Sequence, residues 1–110
     1  MAYDEALADR VRALLHGDER VTERKMFGGL AFLVRGHMVA GILDEELMLR
    51  LGKPGAAEAL TEPHTRPMDF TGKVLSTMLF VEPAGIAAPA DLEAWVRRAL
   101  AFAESLPPKG

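Results

Sequence analysis

The chain has 110 residues, 49% of them apolar and 26% charged, which is enough for one core without disulfide or metal staples. It has no cysteine, which removes thiol nucleophiles, CxxC redox chemistry and thiolate zinc sites and leaves the cytoplasm as the expected compartment. The net charge of −3 disfavours nucleic acid as a partner, and no apolar run approaches the roughly 18 residues of a membrane span.

The opening stretch MAYDEALADR is acidic and amphipathic, unlike a secretory signal. Its apolar residues Tyr3, Leu7, Val11, Leu14 and Leu15 line one helical face, so a helix is expected over residues 3–16, ended by Gly17. From residue 21 to 51 the pattern becomes short apolar runs broken by glycine and charge, an antiparallel meander. Its strands are expected at 21–27, at 30–34, at 38–43, and over the alternation Leu47, Leu49, Leu51. Gly36 at the first central position of a hairpin turn predicts type II′ geometry, and Asp44-Glu45 is the next turn.

After Gly52-Lys53-Pro54-Gly55, residues 56–60 have the propensity for a short helix. Pro63 and Pro67 predict an irregular stretch over 62–67. Residues 68–70 and 77–81 read as a strand pair turning near Gly72-Lys73. A connection over 83–89 leads to a last helix with Pro89 at its first position and a stripe of Leu92, Trp95, Val96, Ala99, Leu100, Ala103 and Leu106, stopped by Pro107-Pro108. The order α-β-β-β-β-α-β-β-α, with short connections, predicts a single α+β domain over residues 1–110: a mostly antiparallel sheet with the two end helices packed on it.

No motif in this chain announces a chemistry. Gly72-Lys73 is followed by Val74 where a phosphate loop needs Ser or Thr, and Gly28-Gly29 lacks the third glycine of a dinucleotide turn. His16, His37 and His64 are too dispersed for a local metal motif, and Asp44-Glu45-Glu46 reads as a solvated turn, so no cofactor or metal is expected. Ser76 and Ser105 lie in no nucleophile motif. The most suggestive cluster is His64, Arg66 and Asp69, a base, a cation and a carboxylate on one proline-bounded loop, which could contact a ligand or partner; Arg66 and Asp69 also read as an ion pair pinning that loop. Arg24 and Lys25 fall on opposite faces of the first strand and read as solvated residues or an edge guard. Met26, Met38, Met48 and Met78 fill strand interiors or form an adaptable binding surface, and Leu33, Met38 and Val39 hint at an apolar second sheet face that two copies could share.

The segment Arg24-Lys25-Met26-Phe27-Gly28-Gly29-Leu30-Ala31-Phe32-Leu33 resembles the signature of the TfoX/Sxy N-terminal domain. The resemblance extends through Leu47-Met48-Leu49-Arg50-Leu51-Gly52, the stretch PHTRPMDFTG beginning at Pro63, and the Trp95 helix ending in Ser105-Leu106-Pro107-Pro108-Lys109. It implies the same α+β fold and a stand-alone member of a family named for regulators of natural competence, without the second domain of the longer regulators. It carries no catalytic residue onto this chain. The leading expectation is a noncatalytic regulatory or adaptor domain that meets a protein partner, a second copy included. The alternatives are a small enzyme or ligand-binding domain at His64, Arg66 and Asp69, and a nucleic-acid accessory using Arg20, Arg24, Lys25, Arg50 and Lys53. Nine arginines against four lysines suggest a GC-rich bacterial source.

Overall fold

Asp4 caps the first helix: its carboxylate accepts the backbone N–H groups of Ala6 and Leu7. The computed structural model describes residues 3–26, 28–70 and 73–106. The helix α1 runs Glu5–Leu14, and Gly17 at φ +85° turns the chain toward the sheet. Six strands follow: β1 (Val21–Met26), β2 (Gly29–Val34), β3 (His37–Leu43), β4 (Glu46–Arg50), β5 (Thr65–Phe70) and β6 (Lys73–Val81). Helix α2 (Gly52–Ala59) lies between β4 and β5, and a short 3-10 turn, Pro83–Gly85, leads to α3 (Pro89–Glu104). The sheet is antiparallel throughout, with spatial order β1-β2-β3-β4-β6-β5. The element order is the one the sequence predicts. Phe27, the turn at Gly72 and the stop at Pro107-Pro108 lie outside the described residues.

Several boundaries differ from expectation. The β2–β3 turn is Arg35-Gly36, with φ +51° and +85°, so it is type I′ and not type II′. Helix α2 starts at Gly52, four residues earlier than expected; Pro54 sits in the first turn, where its missing N–H has no helical partner to lose. The stretch 62–67 is not irregular to its end, because β5 begins at Thr65 and includes Pro67. Proline is tolerated there because β5 is an edge strand and the β5–β6 register shifts directly after Pro67.

Alternation sorts the strand residues between two faces. Leu30, Phe32, Val34, Ile42, Leu47, Leu49, Leu79 and Val81 join Leu7, Val11, Leu92, Trp95, Val96, Ala56 and Ala59 in one buried core beneath the helices. Each such Leu or Val contributes about 1.5–3 kcal/mol by leaving water. A bulge modifies the pattern, because Phe32 pairs with Ala40 while Leu33 pairs with Met38, leaving Val39 as the extra residue. Val39 and Ala40 consequently both enter the helix-covered core, so Val39 does not belong to the second face as expected.

Two close contacts fix the chain at the ends of the meander. A Cβ on Gly29 would lie 2.1 Å from the Ile42 carbonyl oxygen, whereas Gly28, at φ +76°, has open space around it. At the other corner Arg20 bonds the Asp18 carboxylate through Nε at 3.0 Å and through its terminal nitrogen at 2.8 Å, and it reaches Glu104 at the end of α3 at 2.9 Å. The side-chain bonds from Arg20 and a further one from its backbone N–H lower the Asp18 carboxyl to about 2.

Gly29→Ala should destabilise the protein by about 3 kcal/mol or more, because backbone must move. Gly28→Ala should cost only about 1 kcal/mol for its left-handed conformation. Urea unfolding of both variants checks the order, and equal losses would contradict it. For Asp18 the folded carboxyl titrates below its unfolded value of roughly 4, so its contribution is complete above that pH and is lost as pH falls toward 2. Asp18→Asn should flatten the acid-unfolding curve in that window, and an unchanged curve would remove the pair from the account.

Candidate functional site

The sheet's second face is closed by strand residues alone, among those described. Met48 and Phe80 form a separate buried cluster with Met38, Leu43 and Met78 packed around it. Pairing places Arg24, Ala31, Gly41, Met48, Phe80 and Arg66 in one row across the whole sheet, from β1 to β5. Gly41 leaves room in that row, since a Cβ there would lie 2.7 Å from the Met48 methyl and 3.2 Å from that of Met38. The methionines Met38, Met48 and Met78 thus pack within the chain, while the side chain of Met26 lies outside the description.

At the β5 end the row is sealed by Arg66. Its guanidinium carbon stands 4.3 Å from the centre of the Phe80 ring, and it grips both carboxylate oxygens of Glu46, with Nε to Oε2 at 2.8 Å. This fork both orients the cation and covers Phe80, which is only 4% exposed. The carboxylate holding Arg66 is therefore Glu46, twenty residues earlier, brought alongside by the β4–β6–β5 pairing.

The other two members of the predicted cluster sit apart in role. His64 is exposed at φ +65°, and its carbonyl accepts the Glu82 N–H at 2.8 Å, which closes the start of β5 against the end of β6. Asp69 lies on β5 opposite Val74, and its side chain is outside the description. His16 is exposed and His37 half-buried.

Beside Glu46 opens a concavity of about 640 Å³ lined by Tyr3, Asp4, Asp44, Glu45, Glu46, Glu82 and Pro83. Asp44, at φ +53°, holds its rim, because its carbonyl accepts the Asp4 N–H at 2.7 Å and ties the N-terminus to the β3–β4 turn. The carboxylates here come from three separate segments, which spacing in the sequence did not reveal. No three of these or other His, Asp or Glu side chains among the described residues are placed to hold a metal ion together.

The β1 end of the row is built differently. β1 is an outer strand with one neighbour, and Thr22, Glu23, Arg24 and Lys25 are all exposed. Glu23 turns toward α1, where Arg12 binds both its oxygens, at 2.8 and 2.9 Å, and holds its carboxyl below the usual range. The side chains of Arg24 and Lys25 have no hydrogen-bonding or ionic partner among the described residues. Both residues are strand cations by sequence pattern, but only the strand order makes their strand the end of the sheet. Of the other cations in the nucleic-acid alternative, Arg20 is spent on Asp18 and Glu104, and Arg50 stands over Phe102 at 5.7 Å.

No helix among the described residues is long and apolar enough to cross a membrane. Neither the curated proteins nor the solved structures provide a match to the chain. Residues 13–103 match the TfoX N-terminal domain, a span that includes every strand of the sheet, α2 and almost all of α3. By that match over most of its length, with Arg24–Met26 ending β1 and Gly29–Leu33 making up most of β2, the chain belongs to the TfoX N-terminal domain family.

Proposed function

We propose that this chain is a regulatory or adaptor domain, akin to the N-terminal part of competence regulators, that acts through protein–protein contact and performs no chemistry of its own. The contact is strand addition to β1. A partner segment laid along an open sheet edge gains main-chain hydrogen bonds for affinity, and side-chain pairs on alternate faces for selectivity. The observation that carries this reading is the state of the two edges. β1 offers six consecutive residues without proline, exposed from Thr22 to Lys25, whereas β5 is interrupted by Pro67 and a register shift.

The surface chemistry supports the same reading. Leu60, at 36% exposure, is the only large apolar side chain exposed among the described residues, so apolar docking has little to grip. The second sheet face keeps Met48 and Phe80 buried within the chain. An unpaired backbone edge is a source of directional affinity that needs no apolar patch.

A photo-crosslinking residue at Thr22 should give a discrete protein adduct in the cell that makes this chain. The same residue at Glu58, exposed on α2, should give none. Equal adducts from both positions, or none from either, would contradict contact through β1.

A further inference from the structure

The charges on β1 define which strand fits it. Among the described cations, Arg12, Arg20, Arg66, Arg97 and Arg98 pair with carboxylates. Arg10 donates to the carbonyls of Ile86 and Ala87, Arg35 to that of Glu104, and Arg50 stands over Phe102. Arg24, Lys25 and Lys53 have none of these partners, and two of the three are consecutive on the open edge. Glu23, between them and Thr22, cannot neutralise the edge because Arg12 holds both its oxygens.

Consecutive strand residues point to opposite faces, so the edge presents one unpaired cation on each side of the sheet. Arg24 shares the face of Ala31, Gly41 and Met48, and Lys25 the helix-covered face. A second copy is a poor occupant. Antiparallel pairing of β1 with itself about a two-fold axis centres on a residue facing its own copy, so centring on Glu23, Arg24 or Lys25, three of the four exposed residues, sets like charges directly opposite. An incoming strand with two consecutive carboxylates would meet both cations at once. On the second face its acid would serve Arg24 as Glu46 serves Arg66 at the far end of the same row.

We infer that β1 receives an extended segment of another protein carrying two consecutive acidic residues, an inference that rests on strand addition to β1 as the mode of contact. The full chain, labelled with ¹⁵N, is titrated with the blocked peptide Thr-Val-Thr-Asp-Glu-Val-Thr-Val, with versions carrying Ser-Thr or Lys-Arg at the centre, and with a duplex DNA of about 12 base pairs. The acidic peptide should shift the amides of β1 and bind about tenfold more tightly than the Ser-Thr version, from two added cross-strand charge pairs. The variant Arg24→Glu with Lys25→Glu should reverse the preference toward the Lys-Arg peptide. Equal binding of all three peptides at β1 would overturn the acidic partner while upholding strand addition. Failure of every peptide to shift β1 would overturn both, and binding of the duplex at β1 without the acidic peptide would replace the protein partner by nucleic acid.

Discussion

A six-stranded sheet with all of its core-forming helices on one face must find another way to keep the opposite face dry. Here the solution is a cross-strand row whose centre is small. Gly41 allows the Met38 and Met48 methyl groups to close over it, and Phe80 continues the floor toward β5. The Arg66 guanidinium then covers the ring, fixed by the bidentate grip of Glu46. The bulge at Val39 belongs to the same solution, since it brings Met38 to this face and sends Val39 to the other. Without this self-closure an apolar sheet face would lie open to self-association.

That closure directs the functional reading to the perimeter. One lateral edge is stopped by proline and a register shift, and the other remains an intact strand. Nearly every described arginine is committed to a carboxylate, a carbonyl or a ring, so the unpaired Arg24 and Lys25 stand out by contrast with the rest of a densely paired surface. Charged edges generally prevent unwanted sheet extension, and under the proposed strand addition the same charges would select an oppositely charged strand.

Much of this fold was legible because its signals are local. The spacing of Leu92, Trp95, Val96 and Ala99, and the alternation of Leu47, Leu49 and Leu51, each specify one element and its buried face. What escaped was long-range or conformational. Arg35 entering the left-handed region converts the turn type, Val39 changes faces only because of a pairing irregularity, and Pro67 is acceptable only because its strand lies at an edge. The site followed the same division. Arg24 and Lys25 were visible as strand cations, but sequence spacing could not supply the strand order that makes β1 an edge, nor the Glu46 that holds Arg66.

The outer side of β1 is unpaired in the isolated protein, which amide hydrogen exchange at low concentration reads residue by residue. In an antiparallel edge strand every second N–H bonds its one neighbour, while the intervening ones point outward to water. Slow and fast exchange should alternate along β1, from Val21 to Met26, with β3 and β4 protected at every position of their paired cores. Protection at every amide of β1 would mean that the edge is already covered, and would contradict the account.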